Sequence, residues 1–285
     1  QRWKTPVRNG PDIGGKVKGF GRVSKGCAFN SNECETDMKN EILCGDAKAR
    51  LGEVAGNCVD LVVTDPPYLV NYQVRDGRKV ANDTNAIGVL PVFDEIYRVM
   101  KPNTLCVCFS GWTALPEFTN AWAQAGFRIA GHIVWAKDYA SSQGQTGYHH
   151  ESAYVLAKGW PKKPTQPLKD VQSWRYPGNR YHPTEKAVEI LTPVIRAFSK
   201  QGDLVLDPFS GAGSTAVAAA LCDRDYLGVE LEQRYVDLAN KRLEGVKRFQ
   251  ANKVAALARQ QCIMCPVPTG AGLKLRSGIA RTGAV

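Results

Sequence analysis

A chain of 285 residues and 31.2 kDa can bury one sizeable core, so a single catalytic domain with appendages is the expected organisation. No apolar run approaches the roughly 20 residues that span a bilayer, and the basic, Gly-rich N-terminal stretch lacks an apolar signal segment; both argue against membrane insertion or secretion and for a cytoplasmic protein. The net charge of +10 sits at the two ends: residues 1–30 hold 7 Lys/Arg against one Asp, residues 246–285 hold 7 and no acid, and the body between them carries −3. Two cationic ends on a mildly acidic body suit a protein that approaches a polyanion.

Residues 1–38 read as a basic N-terminal arm without sustained periodicity, and regular structure is predicted from about Ile42. Short apolar runs then alternate with helical patterns. Strands are expected at Val59 to Thr64, Leu105 to Phe109, Ile129 to Trp135 and Ala153 to Leu156. Helices are expected at Leu90 to Met100 and Ala114 to Ala125. The nine cysteines are scattered, and Cys106 and Cys108 lie two apart in an apolar strand, which reads as reduced core cysteine.

Regularity stops at residues 158–181. Pro161, Pro164, Pro167 and Pro177 exclude a helix or a central strand there. This irregular insert carries Lys158, Lys162, Lys163, Lys169, Arg175 and Arg180 against Asp170, with Trp160, Trp174, Tyr176 and Tyr181 interleaved. Cations for phosphates and rings for bases make it a candidate DNA-contacting segment; Lys158, Lys162, Lys163, Lys169, Trp174, Arg175 and Arg180 are the expected contacts. The alternating pattern resumes with a helix at Ala187 to Ser199, a strand at Leu204 to Leu206, a helix at Thr215 to Leu221, a strand at Tyr226 to Glu230 and a helix at Arg234 to Val246. Residues 250–261 can extend the last helix; residues 247–285 otherwise read as a basic C-terminal tail.

Two turns carry chemistry. Asp207-Pro208-Phe209-Ser210-Gly211-Ala212-Gly213-Ser214-Thr215 joins a strand to a helix, and its glycines let the backbone pass close beneath a ligand. Glu230 ends the next strand, where a carboxylate can accept from both ribose hydroxyls of a nucleoside cofactor. Dinucleotide-binding turns share this geometry and remain an alternative, weakened because the third glycine of G-x-G-x-x-G is Ala216, at a position that tolerates alanine. Asp65-Pro66-Pro67-Tyr68 follows the strand ending at Thr64, where open α/β sheets bind ligands. An exocyclic base amine is a poor nucleophile because its lone pair is delocalised into the ring. A carboxylate and a carbonyl accepting its two hydrogens hold the nitrogen closer to sp³, successive prolines remove competing donors, and Tyr68 offers a stacking face.

The ordered set of Gly45-Asp46, Asp65-Pro66-Pro67-Tyr68, His182-Pro183-Thr184-Glu185-Lys186, Asp207 to Thr215 and Glu230 resembles the beta class of DNA amino-methyltransferases, over roughly residues 40–245. The resemblance implies a class I, doubly wound α/β fold with a mostly parallel seven-stranded sheet, in permuted motif order, occupying residues 39–246. It implies S-adenosyl-L-methionine as cofactor and double-stranded DNA as partner, in a bacterial or phage cytoplasm at the nucleoid. Asp65, Pro66, Pro67 and Tyr68 would be catalytic. Asp207, Phe209, Ser210, Gly211 and Gly213 would line the methionine side of the cofactor beside Asp65, Glu230 its ribose, His182, Thr184 and Lys186 its carboxylate, and Asp46 its adenine. Asp at the first tetrapeptide position favours N6-adenine; cytosine N4 and a catalytically silent DNA-binding protein are the alternatives. A homodimer is left open. No metal is expected: Cys262-x-x-Cys265, with Cys27 and Cys34 far away, makes a weak zinc pattern. His149-His150-Glu151 resembles a segment lining the target pocket, but a His pair at a strand start reads as structural.

Overall fold

The computed structural model describes residues 37–69, 86–141, 144–175 and 185–263. In chain order the elements are β1 (Glu41–Cys44), α1 (Ala47–Gly52), β2 (Val59–Thr64), α2 (Ala86–Val89), α3 (Val92–Val99), β3 (Met100–Phe109), α4 (Leu115–Ala125) and β4 (Arg128–Ala136). They continue with β5 (His150–Lys158), β6 (Val171–Ser173), α5 (Val188–Phe198), β7 (Leu204–Asp207), α6 (Ser214–Leu221), β8 (Asp225–Glu230) and α7 (Gln233–Ile263). The arm at residues 1–36 lies outside the described residues.

The strands form one sheet in the order β1-β8-β7-β2-β3-β5-β4-β6, in which only β5 runs against its neighbours. Strand alternation sends Leu61, Val63, Val107 and Phe109 to one face and Val62, Cys106 and Cys108 to the other. The first face is covered by α5, α6 and α7 through residues such as Leu191, Ala218 and Leu243, and the second by α1, α3 and α4 through Leu51, Phe93 and Trp122. This is the doubly wound architecture expected from alternating strands and helices. Cys106 and Cys108 are buried free thiols within it.

The sheet has eight strands among the described residues, one more than expected. The addition is β6, three residues of the segment expected to be irregular, paired with β4 as an edge strand. The pairing satisfies backbone groups of β4: Val134 N donates to Asp170 O (2.7 Å) and Trp174 N to Ala136 O (2.8 Å). At the other end of the chain the last helix runs past Val246 to Ile263, so the first part of the expected tail is helical. Gln250 Nε2 reaches Ala220 O (2.7 Å) and ties this extension to α6.

Chain direction changes between β7 and β2: from β2 the chain moves outward to β3, from β7 it moves the other way to β8. The carboxyl ends of β2 and β7 therefore meet at the switch point where open sheets bind their ligands.

Candidate active site

Asp65 is the residue after β2. Its Oδ1 accepts from Tyr68 Oη (2.6 Å) and its Oδ2 from Lys186 Nζ (2.6 Å). The carboxyl is largely buried, and burial raises its pKa against the lowering pull of the Lys186 ammonium. Pro66 is buried behind it, and Tyr68 packs partly against the core with its ring over Gly111, where a Cβ would lie 3.3 Å from Cδ2. The expected carboxylate and aromatic ring are thus at the strand end, joined by the phenolic hydroxyl.

Asp207 closes β7 beside it. Thr64 Oγ1 (2.9 Å) and Phe209 N (3.1 Å) both donate to Asp207 Oδ1, so the last residue of β2 is tied directly to the first of the glycine turn. Burial pushes the Asp207 carboxyl up to about 7 despite these bonds. The folded state therefore binds a proton that the unfolded chain, whose carboxyl titrates near the ordinary aspartate value of 3.8, gives up earlier. This contribution to stability is present at low pH and lost as pH rises from about 4 through about 7. The thermal midpoint of the wild type is expected to fall, relative to Asp207→Asn, between about pH 4 and about pH 7; a parallel course for the two proteins would contradict the assignment.

The turn itself makes a cradle. Gly211 (φ 51°) and Gly213 (φ 77°) both take left-handed backbone, and Gly213 lies so close to α7 that a Cβ there would meet Ala239 Cβ at 2.7 Å. Glu230, at the end of β8, accepts from Gly211 N (2.9 Å) through Oε2 and from Glu232 N (2.8 Å) through Oε1. An acidic group is thereby held beside the glycines, which fits the hydroxyls of a nucleoside cofactor. Phe209 packs on the second-face core, and Ser210 is buried, with its N on Val229 O (2.8 Å).

Asp46 stands one residue past Gly45, whose N donates to Glu230 O (2.9 Å), so it lies at the same edge as the cradle. Its Oδ1 caps α1 by accepting from Ala49 N (3.0 Å), a structural duty the sequence reading did not assign. Lys186, expected near the cofactor's carboxylate, has its ammonium on the Asp65 carboxylate (2.6 Å). His182 and Thr184 lie outside the described residues.

Residues 59–241 match the family model described as DNA methylase, of N6/N4 type. The chain is 46% identical to YubD of Escherichia coli (strain K12) over 204 residues, 72% of this chain and 90% of that one. The chain belongs to the N6/N4 DNA methylase family. It is also 28% identical, over 81% of its length and 90% of the relative's, to the DNA adenine methyltransferase YhdJ of the same organism. The crystal structure of the M1.HpyAVI–SAM complex shares the fold, with a TM-score of 0.57 at 22% identity over 71% of this chain and 98% of that one.

In this methylase the insert does not face the site along its whole length. Because β5 runs antiparallel, Lys158 pairs with Thr104 at the sheet edge opposite Asp65. Its Nζ donates to Asn57 Oδ1 (2.9 Å), Tyr97 O (2.7 Å) and Met100 O (2.7 Å), which makes it a tie within the fold and removes it from the expected DNA contacts. Trp160 stacks under Arg128 (4.3 Å) at the same remote end, and Lys162 and Lys163 come after it in the chain, past Pro161. The segment returns with β6, whose parallel pairing to β4 brings Lys169, Trp174 and Arg175 toward the catalytic side. Arg175 there lines a cavity of about 460 Å³ together with Gln172 and Glu189. Arg180 lies outside the described residues.

The sequence reading missed one cluster at the catalytic edge. Lys137, just past β4, forms a buried ion pair with Glu151 of β5. Its Nζ lies over the rings of Tyr148 (5.1 Å), Trp174 (5.2 Å) and Tyr139 (5.8 Å), and Trp174 Nε1 donates to Tyr139 Oη (3.1 Å). Burial with the nearby Glu151 and Asp65 charges pushes the Tyr148 phenol up to about 12. The only signal was Glu151 in the His-His-Glu segment set aside as structural. Trp112, 70% exposed just beyond β3, is a second unassigned ring at this edge. Among the described residues no group of His, Cys, Asp and Glu could hold a metal; Cys265, Cys27 and Cys34 lie outside them. No described helix is long and apolar enough to cross a membrane.

Proposed function

We propose that this methylase transfers a methyl group to the N6 amine of adenine in double-stranded DNA, at a defined sequence and with the target base turned out of the helix. The observation that carries this reading is the adjacency of the Asp65 carboxylate and the Gly211–Gly213 cradle, tied through Thr64 and Asp207. When bound, S-adenosyl-L-methionine supplies an electrophilic sulfonium methyl.

Asp65 accepts one amine hydrogen and draws the nitrogen lone pair out of the ring. Its carboxyl, raised by burial, is the acceptor for the proton that the nitrogen sheds on methylation. Tyr68 and the Tyr148–Trp174 cluster supply faces for a base outside its stack. The far edge of the sheet, with Trp160, Lys162 and Lys163, stands apart from this chemistry.

Incubation of unmethylated DNA with methyl-labelled cofactor, followed by digestion to nucleosides, is expected to place label in N6-methyl-2′-deoxyadenosine. Label in N4-methyl-2′-deoxycytidine alone would move the assignment to cytosine, the alternative that the family also covers.

A further inference from the structure

We infer that Lys186 is a positioning residue for Asp65, the fixed counter-ion that keeps the catalytic carboxylate charged in its buried setting, and not a contact of the cofactor's carboxylate. The ammonium lies 2.6 Å from Asp65 Oδ2 and 3.3 Å from Tyr68 Oη, above the rings of Phe109 (5.1 Å) and Tyr68 (5.5 Å). The side chain is 9% exposed, so the pair is shielded from water and from screening.

The lysine is held in place by the chain on both sides. Ala187 is buried and caps α5, and Ile190, one turn on, is buried in the first-face core. Glu185 pairs with Arg242 of α7 (3.2 Å), whose Nη1 also holds Ala212 O (2.6 Å) and Ser214 Oγ (3.3 Å) in the glycine turn. One short segment thus grips the cofactor turn through Glu185 and the catalytic carboxylate through Lys186.

The need for a counter-ion follows from what surrounds Asp65. Glu151 of β5, paired with Lys137, adds negative charge beside Asp65, while the Tyr68 and Tyr148 hydroxyls add none that is positive. A carboxyl buried among other acids takes up a proton and loses acceptor strength. Lys186 opposes that uptake and fixes one carboxylate oxygen, leaving the remaining lone pairs in a set direction for an amine.

The consequence for turnover rests on the amine-methylation reading; the ion pair itself does not, and the test separates the two. Carboxyl-labelled aspartate in the full chain, titrated by carbon NMR with Asp65→Asn assigning the signal, reports the Asp65 midpoint without any DNA. Lys186→Met is expected to raise that midpoint by about 1–3 pH units, and Lys186→Arg to return it toward wild type. The acid limb of kcat/KM on DNA is expected to move with it, while calorimetric affinity for S-adenosylmethionine stays within about twofold, a difference of about 0.4 kcal/mol. An unmoved midpoint, or a loss of cofactor affinity in both variants, would overturn the inference. A moved midpoint in a protein that methylates no DNA would uphold it and sink the proposed function instead.

Discussion

Asp65→Ala is expected to lower methyl transfer by about 10²–10⁴-fold, the range for removing a positioned proton acceptor, while cofactor binding stays nearly intact. The separation arises because the Thr64–Asp207 bond and the Glu185–Arg242 pair, which tie this strand end and the Lys186 segment to the cofactor turn, do not involve the Asp65 side chain and stay in place. Alanine also strips Lys186 of its counter-ion and Tyr68 of its acceptor, so part of any loss could come from local rearrangement. Asp65→Asn controls for this: it keeps the side-chain volume and one carbonyl acceptor, and is expected to retain the folded state while transferring slowly. Single-turnover labelling of DNA and calorimetry on the same preparations would measure both quantities. Turnover near the wild-type rate in either variant would refute the role given to this carboxylate.

Gly213→Val should act on the other half of the site and on the fold at once. The residue sits at φ 77° with Ala239 Cβ only 2.7 Å from where its own Cβ would be. Left-handed backbone costs a branched residue at least about 1–2 kcal/mol, and forcing the added bulk against α7 about 1–3 more, for a total of about 2–5 kcal/mol. Ala239 is a fully buried member of the first-face core, so α7 must shift or the turn must open. Either response moves Gly211 N away from Glu230 and spoils the cradle. A lowered thermal midpoint and at least about tenfold weaker binding of S-adenosylmethionine, some 1.4 kcal/mol, are expected. Gly213→Ala should show the same signs in smaller measure. A valine variant with unchanged midpoint and affinity would mean that the close approach is not needed.

Much of the layered fold was legible because its signals are local. The continuous apolar runs of β2, the second half of β3 and β7 and the helical spacing of α5 each lie within a dozen residues, and strands alternating with helices along the chain imply parallel strands covered on both faces. Boundaries moved where local signal was thin: β6 is three residues long, and its only reason to be a strand is the open edge of β4. The helical extension through residues 250–261, which the sequence allowed, is tied down by Gln250 on Ala220 O.

The two halves of the site differ in the same way. Asp65 to Tyr68 and Asp207 to Glu230 could be picked out from the sequence because each is a turn whose residue types do their chemistry with near neighbours. That Lys186 lies on Asp65, 121 positions away, and that Lys137 pairs with Glu151 between three rings, became visible only once distant strands were side by side. The direction of β5 was equally hidden. An apolar run has the same pattern read either way, yet the antiparallel pairing carries Lys158 and Trp160 to the edge away from Asp65. Residue types along the chain pointed to a DNA methylase with a candidate amine-binding turn and a candidate cofactor turn. Which charges face each other, and which edge of the sheet each segment reaches, was decided by strand order and direction, because Coulomb and hydrogen-bond energies depend on distance in space and not on separation along the chain.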